Sequence, residues 1–181
     1  MQKLVREEVL PYQYNILNDA IPGIEKSHAI ENIRLAAEKL RGKDVKPDEF
    51  YGMVFQDSDV AKWIEAAAYA LAAGEDPELE KAVDETIQLY GASQHEDGYV
   101  DSYFTVKCPD KMWTNICDAH ELYCAGHMME AAVAYYEVTG KRELLDIMSK
   151  SADCIYEQFM KKNTRAYPGH PEVELALMRL W

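Results

Sequence analysis

The chain has 181 residues, which is the usual size of one domain. It carries 32 Asp and Glu residues against 19 Lys and Arg residues, a formal net charge of −13. This acidity disfavours nucleic acid and anionic membrane surfaces as partners, because both require concentrated positive charge on the protein. With 48% hydrophobic and 28% charged residues, the composition favours a folded globular protein over a disordered one. We therefore expect residues 1–181 to form a single domain.

Targeting and metal-binding signals are absent from the sequence. The longest apolar run, residues 66–73, is too short to span a membrane, and the charged N-terminus lacks the apolar stretch of a secretion signal. The four cysteines have no Cys-x-x-Cys pair and are too few for a disulfide scaffold; they are Cys108, Cys117, Cys124 and Cys154. We predict four reduced, mostly buried thiols in a cytoplasmic protein, with no metal site in this chain.

Helical periodicity runs through almost the whole chain, and two kinds of helix alternate. The helix predicted over 57–73 has an Ala-rich second half without charge, so it must be covered on more than one side. Gly74, expected in the left-handed conformation, ends it, and Asp76 then caps a helix with a single apolar face. A second enclosed helix over 118–139, closed by Gly140, precedes another one-faced helix. The repeat between Gly74 and Gly140 is 66 residues long.

Three further helices are predicted over 2–18, 27–41 and 171–181, and Pro11 is expected to kink or split the first. The alternation of enclosed and one-faced helices is typical of two α-helical layers. We predict an all-α fold, an α/α toroid of the (α/α)₆-barrel type, present as an incomplete fragment of about seven helices. Because the last helix ends in apolar residues, we expect a larger protein and an open flank that favours self-association.

The loops before the enclosed helices carry unusual polar residues. If the enclosed helices run parallel, the loops at 52–59, 94–113 and 167–172 gather at one mouth. His120 and His170 would lie there, where a neutral imidazole can donate to or accept from a hydroxyl-rich ligand. The alternative is a histidine that caps a helix or bonds a backbone carbonyl. His127, two turns beyond His120, is expected to pack beside Gly126.

The carboxylates near these loops have ordinary structural explanations as well as catalytic ones. Asp57 and Asp59 are placed to cap a helix, and Asp97 is placed in a turn with Gly98. Glu121 either reaches a ligand beside His120 or favours the positive end of its helix. Several aromatic residues could stack on a sugar ring or pack in the core; these are Tyr99, Tyr103, Phe104 and Trp113.

Several motifs, in order along nearly the whole chain, resemble a known family. They include Gly52-Met-Val-Phe-Gln-Asp-Ser-Asp, His120-Glu-Leu-Tyr and Gly169-His-Pro-Glu. The chain resembles the N-terminal part of the catalytic domain of the β-L-arabinofuranosidases, glycoside hydrolase family 127. The resemblance implies an (α/α)₆ toroid and a retaining hydrolase that removes terminal β-L-arabinofuranose from plant-type glycans. By motif, His120 and His170 are implied to contact the substrate carbohydrate.

The family's reacting groups are not matched within this chain. The resemblance implies a cysteine nucleophile bound to zinc with other cysteines and a glutamate, and a second glutamate as acid/base, all beyond residue 181. No catalytic or metal-binding residue is therefore assigned, and the chain alone is expected to be inactive. Two alternatives stay open: another α/α-toroid carbohydrate enzyme (an unsaturated-uronide hydrolase or sugar epimerase) using Asp57 or Asp97, or a non-enzymatic helical-repeat interaction module.

Overall fold

The computed structural model describes residues 2–181, which are helical and contain no β-strand. The first helix is continuous in space but changes geometry, from α1 (Gln2–Leu4) through a π-helical segment (Val5–Val9) to α2 (Leu10–Leu17). The remaining helices are α3 (Ala29–Leu40), α4 (Asp57–Ala72), α5 (Pro77–Ala92), α6 (Ser102–Val106), α7 (Glu121–Thr139), α8 (Glu143–Tyr156) and α9 (Glu172–Leu180). Short 3₁₀ turns cover Pro47–Glu49 and Pro109–Lys111, and a second π-helical segment covers Glu157–Lys161.

The helices form two layers, as the alternation in the sequence predicted. Helix α4 packs against α2 and α7, and α7 packs against α9, so these four form the inner layer. Helices α3, α5 and α8 contact one another or the inner helices from the other side and form the outer layer. The all-α class and the α/α-toroid arrangement are thus confirmed, with residues 2–181 forming an arc of the toroid.

The core lies between the layers and is densest around α7. Most of α7 is buried, because small and apolar residues from Leu122 to Tyr135 meet neighbours on several sides. Tyr90 and Tyr135 are the largest fully buried side chains, joined by Ile33, Ile64 and Met128. Full burial of an apolar side chain of this size contributes about 1.5–3 kcal/mol. This packing fixes the inner helices relative to one another and thereby fixes the loops at their ends.

The structure adds detail to one local prediction and corrects two others. The first helix is irregular just before Pro11, whose missing N–H and bulky ring disturb the preceding turn. Gly74 is not left-handed, in contrast to Gly140, which has φ 73°. A side chain at position 74 would instead meet the Arg6 guanidinium. The loop predicted over 94–113 contains α6, a helix too short to show periodicity, which Asp101 caps by accepting a hydrogen bond from the Phe104 amide.

Three findings concern the surface and the cysteines. Helix α9 exposes the apolar side chains of Leu175 and Met178, and Trp181, directly after the helix, is exposed as well. No helix within residues 2–181 is both long and apolar enough to cross a bilayer. All four cysteines are free, but only Cys124 and Cys154 are buried, so the prediction of mostly buried thiols is right for two of the four.

Candidate functional site

The N-terminal ends of α4, α7 and α9 meet on one side of the inner layer. The ring of Phe55, just before α4, lies 5.3 Å from the ring of His120, measured between centroids. His120 lies in turn 5.3 Å from His170, which precedes α9. Two imidazoles that are 50 residues apart in the chain are therefore neighbours. This is the arrangement required if the inner helices aim their leading ends at a shared hollow.

His120 begins α7 in a strained backbone conformation. Its φ is 63°, in the left-handed region, and its side chain makes no capping hydrogen bond to the helix. Such a conformation costs an L-residue about 1–2 kcal/mol, and strain of this kind is concentrated at functional sites. The Nδ1 atom lies 2.6 Å from the carbonyl oxygen of Asp118, which only accepts, so Nδ1 carries the proton. In the neutral ring Nε2 is then left as an acceptor for a hydroxyl group.

His170 is exposed and is brought to His120 by two glycines. A Cβ on Gly169 would lie 2.3 Å from the carbonyl oxygen of Cys117, so only glycine lets this loop approach so closely. A Cβ on Gly126 of α7 would lie 2.9 Å from backbone atoms of α9. Both close approaches draw the start of α9 towards α7. The position of His170 thus depends on two residues that have no side chain.

A second pair of polar side chains joins α7 and α9 further along the helices. His127 Nδ1 is 3.3 Å from Glu172 Oε1. Burial, aided by the nearby Lys62 ammonium, lowers the pKa of His127 to about 4, so its imidazole is neutral at pH 7. Burial raises the pKa of the Glu172 carboxyl. The His127 imidazole and the Glu172 carboxyl thus lie in contact between α7 and α9, and the predicted neighbour Gly126 makes the close approach beside them.

Sequence reasoning assigned no role to two residues of this cluster. Tyr123 lies with its ring 5.5 Å from His120 and 5.0 Å from His170. Lys62 of α4 donates a hydrogen bond of 2.9 Å to the Tyr123 hydroxyl. The spacing of three residues between His120 and Tyr123 on one helix face could have pointed to Tyr123. Nothing in the sequence alone places Lys62 across from it.

Two carboxylates considered as ligands or helix caps instead anchor the long loop behind the site. Asp57 does not cap α4; it is buried and accepts hydrogen bonds from the amide (2.7 Å) and the hydroxyl of Ser102. Glu121 accepts from the Trp113 amide at 3.0 Å and the Tyr99 hydroxyl at 2.7 Å. Burial raises the pKa of both carboxyls. Neither is free to face a ligand in this arrangement.

The other candidates divide between turns and core. Asp97 accepts a hydrogen bond from the Tyr99 amide at 3.0 Å and forms the predicted turn with Gly98, whose φ is 95°. Asp59 is exposed near Lys62, and desolvation raises its pKa. Of the aromatic residues considered for sugar stacking, Tyr99 and Phe104 are buried in the core, whereas Tyr103 and Trp113 are half-buried against it.

The part of the chain that the structure describes offers no donor set for a zinc site. Within residues 2–181, no group of three or more His, Cys, Asp or Glu side chains is arranged to hold a metal ion. The buried cysteines Cys124 and Cys154 lie on different helices, α7 and α8. The residues present therefore do not fit the zinc that the family resemblance implies, and no step is derived through it.

Comparison with known proteins identifies the family. The family model described as "Beta-L-arabinofuranosidase, GH127 catalytic domain" matches residues 1–181. The chain belongs to the GH127 family. A non-reducing end β-L-arabinofuranosidase from Bifidobacterium longum subsp. longum is 42% identical over 97% of this chain. This GH127 chain spans 28% of that relative's length.

Solved structures of the GH127 family share the fold. A β-L-arabinofuranosidase from Geobacillus stearothermophilus T6 superposes with a TM-score of 0.90 at 55% identity, over 99% of this chain and 28% of that one. A second GH127 β-arabinofuranosidase superposes with a TM-score of 0.84 at 32% identity, over the same shares. The resemblance in the motifs is thus confirmed for family and fold.

Proposed function

We propose that this chain is part of a retaining glycoside hydrolase that acts on terminal β-L-arabinofuranose. In this proposal the chain supplies part of the wall of the sugar pocket, where His120 and His170 bind hydroxyl groups. The nucleophile, the zinc ligands and the acid/base lie beyond residue 181. The observation that carries the proposal is the 5.3 Å separation of the two imidazoles, on motifs that occur in this order in a GH127 chain.

The chemistry of the two rings suits a sugar. Nε2 of His120 is an acceptor in the neutral ring, since Nδ1 donates to a carbonyl, and the exposed ring of His170 adds a second donor or acceptor beside it. Adjacent hydroxyls of a furanose can engage both groups at once. The alternative acid/base residues, Asp57 and Asp97, accept hydrogen bonds that hold the loop, which favours the GH127 assignment over another toroid enzyme.

Sugar binding by the chain tests the proposal. Methyl β-L-arabinofuranoside, titrated into the labelled 181-residue chain, should perturb the ring resonances of His120 and His170, with a Kd on the order of millimolar for a few hydrogen bonds. His120→Asn should abolish the perturbation of the His170 ring, and His170→Ala should abolish that of the His120 ring. His28→Asn is a matched control, because His28 has φ 55° at the start of α3 but lies in the outer layer. An unchanged response in both site variants would overturn the proposal.

Two further expectations follow if this chain supplies only part of the sugar pocket. The chain alone should not hydrolyse an arabinofuranoside, because its residues include no assigned nucleophile; turnover by the purified chain would contradict this. We also propose that the exposed apolar flank of α9 favours self-association of the isolated chain. A monodisperse monomer in light scattering would contradict the second expectation.

A further inference from the structure

Tyr123 lies at the centre of three imidazole rings. Its ring centroid is 5.5 Å from that of His120, 5.0 Å from that of His170 and 4.5 Å from that of His127. The contacts with His120 and His127 are edge-to-face, the arrangement that aromatic pairs favour. One side chain of α7 therefore contacts both candidate sugar-binding residues, which come from different loops.

The hydroxyl end of Tyr123 is held by the neighbouring helix. Lys62 Nζ donates to the Tyr123 hydroxyl at 2.9 Å and to the hydroxyl of Ser58 at 3.1 Å. The same ammonium lies 5.0 Å from the Tyr123 ring centroid, within the range of a cation–π contact. Ser58 is buried, so it fixes the lysine to α4. The tyrosine is thus attached to α7 by its backbone and to α4 by its hydroxyl.

His170 needs such support, because its own loop gives it little. It is exposed, and the loop that carries it runs over the surface from the π-helical segment to α9. Without a fixed neighbour its imidazole would sample several rotamers, and ordering it on binding would cost affinity. The Tyr123 ring provides a surface that limits this freedom for both imidazoles.

We propose that Tyr123 is a positioning residue that holds the imidazoles of His120 and His170 side by side, and that Lys62 fixes Tyr123 through its hydroxyl. The sugar-binding part of this inference rests on the proposed function, whereas the arrangement of the rings does not. The two parts can therefore fail separately.

The arrangement of the rings is tested first, by nuclear Overhauser effects between the ring protons of His120 and His170. The effect should be present in the unmodified chain and lost in Tyr123→Leu. It should persist in Tyr136→Leu, a matched control on the same helix, where the partly exposed tyrosine contacts Arg142 instead. Persistence in Tyr123→Leu would overturn the positioning role, whether or not the sugar binds.

The role of Lys62 is tested by a double-mutant cycle with substitutions that preserve the fold. Tyr123→Phe and Lys62→Met remove the same hydrogen bond, so each should weaken the binding of methyl β-L-arabinofuranoside by about fivefold. The double variant should be no weaker than Lys62→Met alone, because that substitution already removes the hydrogen bond that Tyr123→Phe removes. Additive losses would overturn the role of Lys62. If Tyr123→Leu fails to fold, the cycle still decides the proposal, because it can be measured on the intensity of the nuclear Overhauser effect between His120 and His170.

Absence of sugar binding has a separate meaning. If the unmodified chain does not respond to the arabinofuranoside, the proposed function fails. The cycle is then measured on the intensity of the His120–His170 effect alone, with the same expectation of non-additivity. If the sugar binds but Tyr123→Leu binds it as tightly as Tyr136→Leu does, the proposed function stands and the positioning role is wrong.

Discussion

The two ends of α7 use the same backbone conformation with different residues. The helix begins after His120, with φ 63°, and ends before Gly140, with φ 73°. Glycine adopts this left-handed conformation without steric penalty, whereas a residue with a side chain pays about 1–2 kcal/mol. An added Cβ at Gly140 would meet no atom within 4 Å, so glycine is favoured there by its backbone conformation and not by close packing. The strain is accepted only at the end where the side chain meets His170.

The ionisable groups at the two ends of α7 also lie in different environments. Glu121, beside the start of α7, is buried, and burial raises the pKa of its carboxyl. Lys141, beside the end, lies 2.6 Å from both Asp84 and Glu80, and these hydrogen bonds raise the pKa of its ammonium, so the charged form is favoured. A cation here also complements the helix dipole. The start of α7 therefore holds a buried, hydrogen-bonded carboxyl, whereas its end holds a paired cation at the surface.

The largest expected effect on stability comes from adding a side chain where α7 and α9 lie close together. Gly126→Ala places a Cβ 2.9 Å from the backbone of Glu172 and Val173, and backbone atoms have no room to yield. We expect a loss of about 1–3 kcal/mol in the free energy of unfolding, as for other overpacked cores. Urea unfolding measures this loss. Because α9 must move, the contact between His120 and His170 should be lost as well.

A second glycine provides the matched control. Gly91 lies within α5, and a Cβ there would meet only the end of the Ile147 side chain, at 2.8 Å. Ile147 can rotate, and alanine favours a helix interior over glycine by about 0.5–1 kcal/mol. Gly91→Ala should therefore be neutral or slightly stabilising. If Gly126→Ala lost no more stability than Gly91→Ala, the close approach of the two helices would be wrong.

The next prediction compares substitutions at the two left-handed residues, His120 and Gly140. Gly140→Ala should cost about 1–2 kcal/mol, because the turn keeps its φ and the new Cβ pays the steric penalty. His120→Asn should change the free energy of unfolding by less than about 0.5 kcal/mol, since asparagine tolerates this conformation and caps helices well. It should nevertheless abolish sugar binding. Chemical unfolding and sugar titration of both variants test the contrast; an equal loss of stability in both would contradict it.

The sequence predicted the helices of this molecule better than the details of its site. The enclosed character of α4 and α7 could be predicted because the second half of each helix is mainly apolar, and such a segment is stable only when it is covered on several sides. The meeting of His120 and His170 followed from parallel inner helices. By contrast, the Lys62–Tyr123 hydrogen bond crosses between helices, and periodicity within one helix contains no information on its partner.

The contacts of the buried carboxylates were hardest to predict, because helix capping already offered a role for them. Asp57 stands at the start of a helix, where capping is the usual role of aspartate. It instead accepts from Ser102, 45 residues later, at the start of α6, a helix too short for its periodicity to be seen in the sequence. Gly74 shows the same limit: a glycine after a helix suggests a left-handed turn, but here the absent side chain makes room for Arg6. Tertiary contacts decided both positions.

The last comparison concerns two aspartates that both cap helices. Asp76 caps α5 at the surface, where the Leu79 amide and the Arg6 guanidinium lower the pKa of its carboxyl. Asp101 caps α6 but is only 2% exposed, and its Oδ2 has no hydrogen-bond partner among residues 2–181. Burial, and then the nearby charge of Asp57, raise the pKa of Asp101 well above its usual range.

The two caps should therefore respond to pH in opposite directions. The folded chain holds a proton on Asp101 that the unfolded chain releases above about pH 4, so this residue lowers stability as pH rises from there. Asp76 stabilises the fold above about pH 4 and loses this contribution as pH falls through its lowered pKa. Relative to the unmodified chain, Asp101→Asn should gain stability between pH 4 and pH 8, and Asp76→Asn should lose it. Asparagine preserves both caps, so urea unfolding across this range isolates the charge, and changes of the same sign would contradict the buried, protonated state of Asp101.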